Sequence, residues 1–200
     1  MKGLIVDTSI NKAYAAAFDG DNISVSFLAS GVSTASAIQP AAEKALSDLG
    51  LRKEELDGVS AVVGPGSFTG IRIGVSFINA FAFALGIPRF RFTAFDVLRE
   101  AVPNAPAYAV DAGHQSAYAS LSEPDGSFSD ENVPLAELPE GTVFQAQVEE
   151  KLPQAALALL SRAIDQHVYA LCAPSYLTDL LRPYYMRKSQ AERMKEQGNV

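Results

Sequence analysis

Short apolar runs broken by turn signals open the chain. Gly3 to Asp7 reads as a buried strand and Ala13 to Phe18 as a second, with Ile10-Asn11-Lys12 turning between them. Asn22 to Leu28 is a third, set off by Asp19-Gly20-Asp21. From Ser36 to Leu49 the apolar positions recur at helical spacing, and Gly50 stands where a glycine cap belongs. Gly58 to Val63 is again a strand. Thr69 to Leu85 is a helix, with Ser67 or Thr69 as its N-cap, Gly86 at its end and Pro88 just beyond. A short strand, Arg89 to Phe92, and a short helix, Phe95 to Ala101, complete a β-β-β-α-β-α unit before the break at Pro103-Asn104-Ala105-Pro106.

The pattern then restarts. Val6-Asp7 and Val110-Asp111 are each followed, after five residues, by Ala-Tyr-Ala, and the two copies lie about half the chain apart. Each predicts a hairpin whose first strand ends in an aspartate. A proline- and acid-rich stretch, Glu123 to Gly141, a helix from Gln154 to Ile164 and a tail follow. The predicted organisation is an α/β chain of two lobes. Residues 1–102 form the first and carry the docking helices, and residues 103–200 form a smaller second lobe with a basic tail.

Composition narrows the function. The 200 residues carry a net charge of -7, so the surface repels nucleic acid and any RNA contact is local or shared with a partner. The single cysteine, Cys172, excludes an internal disulfide and fits a reducing compartment. No cationic, apolar leader precedes Leu4, and the apolar run Ile71 to Leu85 reads as too short for a bilayer span, so a cytoplasmic protein without membrane contact is expected.

Asp7, followed by Thr8 and Ser9, ends a buried strand. Such a carboxylate either faces Mg²⁺ beside a nucleotide phosphate or accepts N–H bonds from its own turn, and both readings stay open. Asp111 is its counterpart in the second half. Gly64 to Gly70, GPGSFTG, is a glycine-rich strand-to-helix turn that lacks the lysine of a Walker loop and the spacing of a dinucleotide fingerprint. The helix it launches is apolar on nearly two sides. Ile71, Val75, Ile78, Ala82 and Leu85 make one stripe, and Ile73, Phe77 and Phe81 a second. Gly70 and Gly74, four apart, would let another backbone approach. The second stripe reads as a subunit interface, with Ala41, Ala42 and Ala45 of the preceding helix beside it. His114 and His167 lack metal-ligand spacing, and no nucleophile elbow is present, so neither a metal nor a catalytic residue is assigned. The tail from Arg182 through Arg187, Lys188, Arg193 and Lys195 is basic and reads as a solvated end or a contact for RNA or an acidic partner.

Leu4-Ile-Val-Asp7-Thr-Ser, the long motif Gly64-Pro-Gly-Ser-Phe-Thr-Gly-Ile-Arg72-Ile-Gly74, Val110-Asp111-Ala and Arg182-Pro-Tyr-Tyr-Met-Arg187 together resemble the TsaB (YeaZ) family. The resemblance implies a two-lobe actin-like ATPase or RNase H-like fold with duplicated β-β-β-α-β-α lobes, the second reduced. It implies a non-catalytic scaffold in the complex that forms N6-threonylcarbamoyladenosine at position 37 of tRNA. The implied partners are a TsaD-type catalytic subunit, a TsaE-type ATPase, a second copy when alone, and tRNA only through the complex. Relatives carry a histidine where Thr34 stands and an arginine where Gly113 stands. Two alternatives remain. One is a Mg-dependent ATPase or phosphotransferase holding ATP or ADP at the shared cleft through Asp7, Thr8, Ser9 and Asp111. The other is a metallopeptidase, for which the ligand pair is missing.

Overall fold

The computed structural model describes residues 1–168 and 177–186. In chain order the elements are β1 (Lys2–Asp7), β2 (Tyr14–Asp19), β3 (Asn22–Phe27), α1 (Thr34–Ser47), β4 (Gly58–Val62), α2 (Phe68–Leu85), β5 (Arg89–Phe92) and α3 (Ala94–Ala101). After the proline-rich break come β6 (Ala107–Gly113), β7 (Ser116–Ser122), β8 (Phe128–Pro134), β9 (Val143–Phe144), α4 (Leu152–Val168) and β10 (Leu177–Thr178).

β1 is the hub of a six-stranded sheet in the order β10-β5-β4-β1-β2-β3, antiparallel to β2 and parallel to β4. Its residues are buried on both faces, so it reads as a continuous apolar run. Leu4 and Val6, with Ala15, Ala17, Val59 and Ala61, face a core filled by α1 and α2. Ile5, Tyr14, Ala16 and Phe18 face a second core filled by α3 and α4 and continued by Tyr108 and Val110 of β6. The second sheet, β8-β7-β6-β9, repeats the order β3-β2-β1-β4, with β9 parallel to β6 as β4 is to β1. This is the two-lobe actin-like, RNase H-like arrangement that the sequence led us to expect.

The repeat is structural but not in equal register. Asp7 pairs with Tyr14, whereas Asp111 pairs with Ala117 and Val110 with Tyr118, next to an irregularity between Asp111 and Gly113. The second hairpin closes through His114 and Gln115, both at positive φ as a type I′ turn requires. Asp7 is buried and Asp111 is exposed.

The chain changes sheet between α3 and β6, yet the second half returns to the first sheet. α4 packs on β1, β2 and β4, and β10 pairs antiparallel with β5. β8 emerges from the proline- and acid-rich stretch, to which no element was assigned from the sequence. Its residues are mostly exposed, as an edge strand allows. α1 begins at Thr34, capped by Ser33, and runs through Pro40. Among the described residues, α2 alone has the length and apolarity of a membrane span, which corrects the expectation that this segment is too short. Its inner stripe, Gly70, Ile71, Gly74, Val75, Ile78 and Ala82, is buried. Cys172 and the basic positions from Arg187 onward lie outside the described residues.

Candidate functional site

The β1–β2 hairpin and the glycine turn are built into one another. Asp7 is 1% exposed, and its Oδ1 accepts from the Ser9 amide at 2.9 Å and the Ser9 hydroxyl at 2.6 Å. Burial pushes its carboxyl up to about 6, against the pull of those two bonds. The Thr8 hydroxyl donates to the Gly70 carbonyl at 2.6 Å, and the Ser67 amide donates to the Ser9 carbonyl at 2.8 Å. Ser67 also caps α2, accepting from the Gly70 amide at 3.2 Å. Gly64 and Gly66 hold φ of 113° and 153°. A Cβ on Gly66 would collide with Ser9, and one on Gly64 would stand 2.7 Å from the Tyr184 carbonyl oxygen. The concave side of the turn is therefore filled by Ser9 and Tyr184 of the same chain.

Two expectations are corrected here. Gly70 and Gly74 do not face outward: both are buried, and a Cβ on either would run into Thr8. The close approach their size permits is to the protein's own hairpin. Ala41 and Ala45, 5% and 0% exposed, likewise face the core beneath α1. Asp7 and Thr8, expected at a cofactor, spend their polar groups on the turn and on α2. The Tyr14 hydroxyl, opposite Asp7 across the hairpin, is buried without a partner among the described residues. Burial, then the Asp7 charge, raises its ionisation well above the usual phenol range.

Ser9 and Asp111 share a cleft of about 340 Å³ between the lobes, together with Asn11, Ser67, Gln145 and Glu149. Asp111 accepts from the Gly113 amide at 2.7 Å, and Glu149 faces Lys12 across 3.5 Å. The acidic side chains on its walls are Asp111 and Glu149, which disfavour a phosphate. Among the described residues no three metal-ligating side chains converge.

On the opposite side of the first sheet, α1 and α2 enclose an open groove of about 470 Å³. Its floor is apolar, from Ala42, Leu46, Leu51, Phe77, Ala80 and Phe81, and Gln39, Glu43 and Lys53 stand at its rim. Phe77 and Phe81 pack ring to ring at 5.6 Å between centroids. Ile73 is half-buried beside them, so the second stripe read from the sequence faces this side. Further along α2, Phe83 is 82% exposed.

Sequence reasoning missed the groove's α1 wall beyond the alanines, and it missed the role of Asn79. A lone amide in an apolar helix was the available signal. Asn79 donates to the Leu181 carbonyl and accepts from the Leu181 amide, both at 2.9 Å.

Residues 32–136, more than half of the chain, match the family model described as TsaD: tRNA N6-adenosine threonylcarbamoyltransferase. A curated relative of that description from Chlorobium luteolum is 37% identical over 51 residues, which are 26% of this chain and 15% of that protein. The matched region thus spans a small part of that relative. Among solved structures, YeaZ from Pseudomonas aeruginosa superposes with a TM-score of 0.58 at 22% identity, covering 69% of each chain. A structure described as an uncharacterized protein with similarity to peptidase YeaZ from Pseudomonas aeruginosa reaches 0.72 at 18% identity, covering 93% of this chain and 99% of its own. These two likenesses establish the fold.

Proposed function

The chain belongs to the TsaD family of tRNA N6-adenosine threonylcarbamoyltransferases, and from that premise we infer that it serves threonylcarbamoylation of tRNA as a non-catalytic scaffold of the TsaB (YeaZ) kind. In this reading it pairs with a TsaD-type catalytic subunit, is joined by a TsaE-type ATPase, forms a homodimer when alone, and meets tRNA through the assembled complex in the cytoplasm.

The observation that carries the reading is the α1–α2 groove. Phe77, Phe81 and Leu46 line an apolar floor and the rim is polar. The chemistry of the cleft points the same way. A metal-bound nucleotide would need the Asp7 carboxylate, which is turned into its own hairpin by Ser9, and the cleft walls add acid rather than a cation. These residues do not fit a nucleotide phosphate, and no chemical step is assigned to them.

The test is co-purification with the TsaD-type protein of the same organism. Substitution at Gly74 is unsuited to it, because a side chain there collides with Thr8 before any partner is reached. Ala80→Arg, on an exposed groove position, is suited. A one-to-one complex formed by the wild type and lost in a folded Ala80→Arg variant supports the reading. A complex indifferent to Ala80→Arg removes the groove from it.

The competing reading is a Mg-dependent ATPase or phosphotransferase. It draws on the interlobe cleft that Ser9 and Asp111 share. Calorimetry of the isolated chain with ATP and Mg²⁺ decides it: binding weakened by Asp111→Ala would favour the enzyme, and absence of heat would dismiss it.

A further inference from the structure

The segment 181–186 is fastened to α2 at Leu181 and Tyr185 and reaches the second sheet through Tyr184 between them. At one end Leu181 is 2% exposed in the core under α2, and its amide and carbonyl form the pair of bonds with Asn79. Arg89 donates to the same Asn79 oxygen at 3.3 Å. The Tyr185 ring stacks on Phe68 at 4.5 Å between centroids and its hydroxyl accepts from Arg72 Nε at 2.9 Å, while the Arg72 guanidinium lies 4.2 Å above Phe68. Between these anchors the Tyr184 amide donates to the Val63 carbonyl at 2.8 Å, just past the end of β4.

The Tyr184 side chain packs against both cores and reaches across to the second sheet. Its hydroxyl donates to Asp130 Oδ2 on β8 at 2.8 Å, the outermost strand of the second sheet. Arg91 lies 5.7 Å from the same ring. Burial and the Asp130 charge push the phenol up to about 12, so it remains a donor at any physiological pH. Three residues of α2, Phe68, Arg72 and Asn79, are thus linked through one segment to the outermost strand of the second sheet.

We propose that Leu181–Met186 is a strap that couples α2 to β8, so that a partner seated on the outer side of α2 alters how firmly the second sheet is held over the interlobe cleft. The strap's clamp on α2 (Phe68, Arg72 and Asn79) lies on the helix that carries the groove floor. Its link to β8 is a single charge-assisted hydrogen bond between a half-buried phenol and an exposed carboxylate, strong enough to bias a sheet edge and weak enough to open. The trigger rests on the docking reading above. The coupling itself does not.

Hydrogen–deuterium exchange on the full chain separates the two. In the absence of any partner, Tyr184→Phe keeps the ring and removes the bond, and is expected to speed exchange across Phe128–Pro134 about tenfold while β1 and β4 stay unchanged. Asn79→Leu, which touches nothing in the second lobe, is expected to produce the same effect on β8 by releasing the other end. No change in β8 for Tyr184→Phe, or for an Asn79→Leu variant whose strap amides do exchange faster, overturns the coupling. With the TsaD-type subunit added, a change in β8 protection in the wild type that vanishes in Tyr184→Phe supports the trigger, and binding without any β8 response overturns it. Failure of that subunit to bind refutes the docking reading, and the partner-free comparison then decides the strap by itself.

Discussion

A carboxylate held beneath a hairpin by a single serine sets a pH response in this protein. Asp7 titrates at about 6 when folded and near 4 when unfolded, so the folded state binds the extra proton. Its contribution is most favourable below the unfolded value and is lost as pH rises through 6. Asp7→Asn, which still offers an oxygen to Ser9 but carries no charge, is therefore expected to raise stability by about 1–3 kcal/mol at pH 7.5 and by much less at pH 4. Urea midpoints at the two pH values check this, and a gain of equal size at both would show that the charge is not the cause. The glycines make a second, steric point. Gly70→Ala drives a methyl into the Thr8 backbone carbonyl, whereas Gly74→Ala meets the Thr8 hydroxyl end. Both are expected to destabilise by roughly 1–3 kcal/mol, Gly70→Ala more, because backbone yields less than a side chain. At this scale the sequence announced which residues matter but not which way they face. The Gly-x-x-x-Gly spacing is the same whether the approaching backbone belongs to a partner or to the hairpin at Thr8.

α2 shows what a helix with two apolar sides does. One side is core: Ile78 is 0% exposed, and Ile78→Ala is expected to cost about 2–5 kcal/mol. The second, with Phe77 and Phe81, floors the groove, and away from both stripes Phe83 is 82% exposed, so Phe83→Ser is expected to stay within about 0.5 kcal/mol of wild type while reducing self-association. Paired denaturation and light-scattering measurements test the contrast, and a large loss in Phe83→Ser would mean that this face is structural. The stripes and the Gly86 terminus were legible because a 3.6-residue period and a left-handed glycine leave local marks, while the cap was narrowed only to Ser67 or Thr69. β8 was not legible. It reads Phe-Ser-Asp-Glu-Asn-Val-Pro, and an edge strand with few buried positions has no alternation to display. The groove was half legible. Ile73, Phe77 and Phe81 were visible as a stripe, but Leu46 and Leu51 join them through the packing of α1, which no local pattern encodes.

At the scale of the whole molecule, the two sheets share a topology and divide the labour unequally. The first is roofed on both faces, and the second borrows α3 and α4 from the common core. The duplicated Val-Asp motif disclosed the two hairpins, yet the offset in pairing that leaves Asp7 buried and Asp111 exposed lay beyond it, since register depends on the hairpin's closure at His114 and Gln115. Ending the chain after residue 168 would strip β10 from β5 and Leu181 from beneath α2. That truncation is expected to lower the unfolding midpoint and to raise light scattering at equal concentration, because β5 becomes an unpaired edge. A truncated chain that stays monomeric with an unchanged midpoint would show that these late contacts are dispensable. The position of β10 also bears on synthesis. Translation delivers β5 long before the strand that flanks it, and at ordinary rates the gap lasts on the order of 5–15 seconds. Throughout that interval the nascent chain presents an open strand edge to whatever surrounds the ribosome. The β5 edge is covered only when β10 arrives to pair with it, and protection of β5 by a chaperone, or its mispairing with a neighbouring nascent chain, is decided before then.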